Sequence, residues 1–380
     1  MKARRSDVGV GCVASGMWAL PGRRGPVEGA CGRTLTTLIP LRVPSIEDLR
    51  RLAPVREGEV RLGERVQAFG PGGDPPKGAR VALVGVPEDI GVRANMGIAG
   101  ARRMWRTFLP RFLAMQSNRF LDGQAVAVAG VVDVRDLRRA TRTLDPARAR
   151  TARVRNEALG ALREAVREVD ARVAAVVSGI RASGLVPVVV GGGHNNAYGI
   201  LAGCAAAAGC PMGCVNVDLH ADLRPREGRH SGNAFTYALA EGILGRYAVV
   251  GLSECYATGA IVEEVNRRRE VMAITLESML RAGTGPAQAA AAAAAHVGPG
   301  PATVELDLDA VAQAPASAAA ASGFSGAEFR AIAMQLCRSL DVHALHLAEG
   351  APGNGAWPDA MLAKFVAEVV RDAATLLCAR

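Results

Sequence analysis

The segment Asn216-Val217-Asp218-Leu219-His220-Ala221-Asp222 sets two carboxylates and an imidazole at alternating positions. Gly213, Cys214, Val215 and Val217 lead into it and predict a strand, on which residues i, i+2 and i+4 face the same side. An extended segment then presents carboxylate, imidazole and carboxylate in one row. Those donors suit a hard or borderline divalent cation rather than a soft one. A strand ending in a polar turn would carry the same residues, so the reading depends on further ligands elsewhere.

Two other segments supply them. Gly191-Gly192-Gly193-His194-Asn195-Asn196 follows the apolar run Leu185–Val190, and Glu305-Leu306-Asp307-Leu308-Asp309 closes the run Ala302–Leu308. The glycines lack the spacing of a phosphate-binding or dinucleotide loop. They let the backbone bend tightly, so that His194 faces a crevice at the strand end. Asp307 and Asp309 share a face by the two-residue period, and carboxylates side by side repel unless a cation neutralises them. His194, Asp218, His220, Asp222, Asp307 and Asp309 thus offer two imidazoles and four carboxylates. Six such ligands suit two divalent cations about 3.5 Å apart, a pair that activates water near neutral pH. Glu349, in Ala348-Glu349-Gly350-Ala351-Pro352, stands at another strand end, where a carboxylate can orient a planar cation through a bidentate contact.

The elements that must position these residues alternate regularly. Eight strand candidates lie at 81–86, 125–133, 185–190, 213–218, 247–252, 271–275, 302–308 and 342–348. Most are continuous Val, Ala, Leu and Ile runs, the pattern of strands buried on both faces of a parallel sheet. Helical candidates lie at 100–116, 147–183, 195–208, 233–242, 256–269, 286–296, 325–340 and 360–379, with Gly160 as a candidate break in the second. The fold class is α/β, a three-layer α/β/α sandwich around a parallel, roughly eight-stranded sheet. Open parallel sheets place their sites at the carboxyl ends of the strands, where all four polar clusters fall. One domain is expected from residue 76 to 380, after an N-terminal segment 1–75 with a partly disordered leader and a short helix capped by Ser45.

Composition narrows the class. The chain has 380 residues, 49% of them hydrophobic, and a formal net charge of +9. Residues 1–45 hold seven of the basic residues against Asp7 and Glu28, so more than half the excess sits in a Gly-rich leader. The remaining Arg residues alternate with Glu along helices and read as solvated faces, which argues against nucleic acid as a partner. Eight scattered cysteines without a C-x-x-C pair predict reduced thiols in the cytoplasm. No apolar run is long enough to span a membrane. Gly9, Gly11 and Gly16 break the apolar stretch that a secretory signal would need.

GGGHNNAYG, NVDLHAD, RHSGNAF, VELDLDAV and LAEGAP, in this order, resemble the ureohydrolase family of arginase, agmatinase and formimidoylglutamase. GVPEDIGVRANMGIAGA at 85–101 resembles that family's first strand-to-loop segment. The resemblance covers residues 40–380 and implies two Mn²⁺ per subunit. His194 and Asp222 would then serve one ion and His220 and Asp309 the other, with Asp218 and Asp307 touching both. It further implies that Glu349 pairs with the substrate's guanidinium or amidinium, that Asp309 accepts a proton, and that the subunits form a trimer or hexamer. In arginases and agmatinases a histidine proton shuttle precedes the glycine of the third motif. Here Ser231 stands at that place and His230 one position earlier, as in the Ser-Ser-Gly pattern of the formimidoylglutamase branch. GGGH and Gly251-Leu252-Ser253-Glu254 lean the same way. The expected substrate is therefore a small linear amidine or guanidine, best N-formimidoyl-L-glutamate, cleaved to L-glutamate and formamide. His230 remains a candidate proton relay, and Ser231, Asn233 and Arg229 are candidate substrate contacts. Arg93, Asn95, Arg224 and Arg226, in the loops around 92–97 and 224–235, either meet a substrate carboxylate or sit in solvent, which the sequence leaves open. An arginase or agmatinase releasing urea is the nearest alternative, and a non-catalytic metal-binding assembly subunit is a second. The single-zinc deacetylase branch of the same fold is disfavoured by the second Asp pair and both histidines.

Overall fold

The computed structural model describes residues 39–355 and 357–380, so the expectations for the leader lie outside the described residues. Ten strands are present among them: β1 Leu41–Arg42, β2 Gln67–Ala68, β3 Val81–Gly85, β4 Val126–Val132, β5 Val186–Val190, β6 Met212–Val217, β7 Leu244–Leu252, β8 Val271–Thr275, β9 Pro301–Asp307 and β10 Asp341–Ala348. They form one sheet in the order β1-β4-β3-β5-β10-β9-β6-β7-β8, with β2 paired to β4. The eight expected strands are all in it, and every pairing is parallel except that of β1 with β4.

Alternate side chains of each central strand feed opposite faces. Leu83, Val128, Val188, Val215 and Val304 pack with the helices Met104–Leu113, Pro286–Val297, Gly326–Ser339 and Asp359–Cys378. Ala82, Val84, Ala127, Val189 and Cys214 pack with the helices Ala152–Ala182, Asn196–Ala208 and Ala234–Ala240 on the other side. This is the three-layer sandwich that unbroken apolar strands require, since each face must be covered. The six cysteines among the described residues are free thiols. No helix among these residues is long and apolar enough to cross a membrane.

Three expectations shift. The helix Ala152–Ala182 runs unbroken through Gly160, because that glycine sits exposed with nothing near it. The buried stripe Leu162, Val166, Val169, Val173, Val176, Val177 and Ile180 outweighs the roughly 1 kcal/mol that one helical glycine costs. The division expected at residue 76 falls inside the compact unit Ile39–Arg380, because β1 and β2 both join β4. Short helices at Ile90–Ala94, Arg135–Ala140 and Leu276–Ala282 were not anticipated, being too short to show a period. Ser45 caps the helix Ile46–Leu52 as expected, its hydroxyl accepting the Asp48 N–H at 3.1 Å.

Helix Asn196–Ala208 approaches helix Ala152–Ala182 closely through glycines. A Cβ on Gly203 would meet the Ala174 carbonyl oxygen at 2.6 Å and the Val177 Cβ at 2.9 Å. Gly203→Val should therefore destabilise the protein by about 1–3 kcal/mol through overpacking. Gly160→Ala, on an open helix face, should stabilise it by about 0.5–1 kcal/mol. Thermal unfolding of the two variants checks the contrast, and equal shifts would refute the close approach.

Candidate metal centre

Four neighbouring strands deliver the polar residues to one edge. The order β5-β10-β9-β6 aligns their carboxyl ends, with Leu347 opposite Val190, Ala348 opposite Asp307 and Val217 opposite Leu306. His194 follows β5, Glu349 follows β10, Asp307 and Asp309 close β9, and Asp218, His220 and Asp222 follow β6.

The local geometry differs from the one-face row the alternation implies. β6 ends at Val217, and the five residues after it form a turn rather than a strand. Asp218 Oδ1 accepts the N–H of His220 at 2.7 Å, a side-chain turn that brings the imidazole round. Asp307 Oδ1 accepts the N–H of Asp309 in the same way at 2.7 Å. Asp222 (φ 49°) and Glu349 (φ 62°) sit in the left-handed region, unusual for residues with a side chain. Backbone of this kind persists where the surroundings hold it, and it clusters at functional sites.

His194 is the centre of the first group. Its Nδ1 stands 2.9 Å from Asp307 Oδ2, 3.0 Å from Asp222 Oδ2 and 3.3 Å from Asp218 Oδ2. None of the three lies along a hydrogen-bonding direction, so both ring nitrogens are buried without a partner. Donor atoms at close range but without mutual hydrogen bonds are what ligands gathered around a common cation look like. Atoms of His194, Asp218 and Asp307 fall within 4.8 Å of one another. In the second group, His220 Nδ1 is 3.3 Å from Asp218 Oδ1 and 3.8 Å from Asp309 Oδ2. Asp218 therefore gives one oxygen to each group. The residues fit a pair of divalent cations.

Charge balance supports the fit. Burial pushes Asp222 up to about 6, with the Asp218 carboxylate adding and His194 opposing. Burial and the Asp307 charge push Glu349 up to about 8. Asp309 is held well above the usual carboxylate range by burial and then by Asp307. So much like charge in a low-dielectric crevice is destabilising unless positive charge offsets it.

A cavity of about 460 Å³ opens onto these groups, lined in part by His220, Asp222, Asp307, Asp309 and Glu349. Asn95, Arg224, Ser231 and Tyr256 form part of its wall. Glu349 Oε1 accepts the backbone N–H of His194 at 2.6 Å, whereas its Oε2 is buried without a partner. Asn95 Nδ2 donates to Ser231 Oγ at 3.3 Å.

Three candidates do not reach this cavity. Arg229 is buried against Asp170, Asn233 turns its amide to the Pro225 and Gly228 carbonyls, and His230 serves as a cap. His230 Nδ1 accepts the N–H of Gly232 at 3.1 Å, so the neutral ring carries its proton on Nε2, 3.1 Å from Glu227 Oε1. The sequence places these residues in the right loop but gives no sign of which way each one faces. Arg93 is likewise turned away, donating to the Thr141 and Leu144 carbonyls. Arg226 is exposed and does not line the cavity.

Other supporting residues emerge only in three dimensions. Glu305, buried behind His194, lies 3.6 Å from its Nε2 and 2.7 Å from His346 Nδ1. Glu305 is thus tied to His346, while its charge stands behind the His194 ring beyond hydrogen-bonding distance. The two-residue period contains this signal, because Glu305 and Asp307 share a strand face. Glu88 Oε1 accepts from Gly193 N, Asn195 Nδ2 and Asn196 Nδ2, and its Oε2 from Ile90 N and Gly91 N. One buried carboxylate thereby holds the loop that carries His194. An acid just after the apolar run 81–86 is the cue that would have found it.

Among known proteins, the Arginase family profile matches residues 79–375, and the chain belongs to that family. It is 30% identical to a formimidoylglutamase of Nocardia farcinica over 55% of this chain and 58% of that protein. It is 28% identical to the formimidoylglutamase of Geobacillus thermodenitrificans over 64% of this chain and 65% of that one. The matched stretch thus spans less than two thirds of these relatives. The fold is that of the Bacillus subtilis formimidoylglutamase, with a TM-score of 0.67 at 15% identity over 85% of this chain and 94% of that one. The Trypanosoma cruzi formiminoglutamase with Mn²⁺ superposes with a TM-score of 0.65 at 20% identity, over 85% of this chain and all of that one.

Two outcomes follow from the electrostatics. Divalent cation at a hundredfold excess over its Kd should raise stability by about 2.7 kcal/mol for each site filled, and chelator should reverse it. Asp307→Asn should stabilise the metal-free protein by relieving repulsion while erasing most of the cation-induced rise, both readable by thermal unfolding. A variant that keeps the full rise would contradict the clustering. His230 is lowered to about 4 by burial, with Arg163 and Arg224 adding and Glu227 opposing. An unfolded histidine titrates near 6.5, so the unfolded chain binds the extra proton first. The stability held by neutral His230 is full above about pH 6.5 and is lost as pH falls toward 4. His230→Asn, which keeps a capping oxygen, should flatten that acid limb in unfolding midpoints measured against pH.

Proposed function

We propose that this protein hydrolyses the C–N bond of a linear amidine, N-formimidoyl-L-glutamate, to L-glutamate and formamide. The observation that carries this reading is Glu349, one oxygen pinned by the His194 N–H and the other unpartnered beside the metal-ligand carboxylates. A carboxylate so placed can accept an amidinium N–H and hold the electrophilic carbon over the centre. The family, the formimidoylglutamase relatives and Ser231 at the family's shuttle position support the choice of substrate.

In this reading His194, Asp218, His220, Asp222, Asp307 and Asp309 hold two Mn²⁺ ions. A bound pair supplies Lewis-acid activation of water. Asp309, whose Oδ1 accepts the Ala318 N–H and whose Oδ2 faces His220, also takes the proton released by the attacking water. His230, away from the cavity wall, is not the relay, so the departing amine takes its proton from water admitted by the cavity. Arg224, with Asn95 and Ser231, meets the glutamate tail at the cavity wall. The enzyme is read as a cytoplasmic homo-oligomer.

Purified protein reconstituted with Mn²⁺ should release formamide from N-formimidoyl-L-glutamate. Glu349→Gln should lower kcat/KM at least about a hundredfold, the loss expected for a charge-assisted contact to the reacting group. Urea release from arginine or agmatine, with no formamide, would move the assignment to those branches. Fewer than one bound ion per chain and no turnover of any amidine would make the chain a non-catalytic relative.

A further inference from the structure

Arg229 is the most heavily engaged buried cation in the described structure, only 2% exposed. Its Nε and Nη2 face the two Asp170 oxygens at 2.9 and 3.4 Å. Nη2 also donates to the Asn195 carbonyl at 3.0 Å, and Nη1 donates to Asn233 Oδ1 at 2.6 Å and the His230 carbonyl at 3.5 Å. The guanidinium carbon lies 4.8 Å from the Tyr198 ring centre and 5.0 Å from that of Tyr237, two rings that stand edge to face with centres 6.4 Å apart, so it sits in the corner they form. All five N–H groups are used, which lysine could not reproduce.

These contacts join three separate segments. Asp170 comes from the middle of helix Ala152–Ala182, interrupting its apolar stripe. Asn195 follows the predicted ligand His194. Asn233 closes the loop that begins after Asp222, and its amide returns to Pro225 O and Gly228 O. Tyr237 also accepts the Gly228 N–H through its hydroxyl at 3.1 Å. The loop is thereby folded around the Arg229 side chain. Its outward face presents Arg224 and Ser231 to the cavity, joined across its base by Arg224 N–H to Gly232 O at 3.0 Å.

We propose that Arg229, with Asp170, is a positioning residue that sets substrate affinity by holding loop 223–233 in its binding shape. It touches no substrate. It acts through Arg224 and Ser231, and in this it rests on the reading of the cavity as the amidine site. A loop already ordered spares the substrate tail the entropy of ordering it, so losing the tie weakens binding of a tailed substrate first.

The experiment pairs hydrogen exchange with steady-state kinetics on the metal-loaded full chain. Arg229→Lys keeps the charge but not the fork. Asp170→Leu/Arg229→Met removes both charges together, leaving no unpaired one to unfold the protein. In both variants exchange of the 223–233 amides should rise at least about tenfold, with protection of β5, β6, β9 and β10 unchanged. KM for N-formimidoyl-L-glutamate should rise about tenfold with kcat within about threefold, and kcat/KM for tailless formamidine should hold. Bound metal should stay at the wild-type level. Unchanged exchange in the loop would overturn the proposal. So would a fall in kcat and bound metal with KM unmoved, which would assign the tie to the His194 loop instead. Failure of the wild type to cleave the amidine would sink the substrate reading, and the exchange result would still decide the loop.

Discussion

The structure is governed by the concentration of like charge at one edge of its sheet. Asp218, Asp307, Asp309 and Glu349 are each no more than 3% exposed, and Asp222 lies beside them. In a medium of low polarity such a group is far costlier than the same carboxylates in water. Only a crevice built by buried strands can keep them together, and positive charge, on the His194 and His220 imidazoles or on bound cations, offsets their repulsion. The parallel register supplies the crevice, because it ends four strands at one level.

Around this centre the chain spends its backbone N–H groups with economy. Asp218 and Asp307 each accept the N–H two residues on, which aims the carboxylate; Asp307 Oδ2 is left for the centre, while Asp218 Oδ2 also accepts from Asn216 Nδ2 at 3.1 Å. Glu349 likewise accepts the His194 N–H. Behind them, Glu88 and Glu305 are carboxylates that face protein donors instead of the crevice. The site is therefore two layers of carboxylates, an inner one facing the crevice and an outer one turned toward protein donors.

Much of this was legible in the residues. Continuous apolar runs gave all eight main strands, because burial on both faces leaves no room for polar alternation. The clustering of the six candidate ligands could be read because His and Asp recur together at strand ends that a parallel register brings to one level. Arg229, His230 and Asn233 could not be read correctly. They lie in a loop whose side chains face inward or outward by turn geometry, and a loop has no period to reveal that. Asp170 and Glu88 show the complementary case. Each is a lone acid in an apolar setting, visible as an anomaly but without a partner until the fold brings Arg229 or the Gly193 loop alongside.

The strand order has a consequence for how the molecule comes into being. β10 lies between β5 and β9, so it alone joins the half-sheet β1-β4-β3-β5 to the half-sheet β9-β6-β7-β8. Until residues 341–348 leave the ribosome, the nascent chain can hold two incomplete sheets with open inner edges. His194 would sit on one of them and the aspartates on the other. Assembly of the candidate ligand cluster is thereby tied to the last central strand, and a stalled or truncated chain presents two sticky edges and no complete cluster.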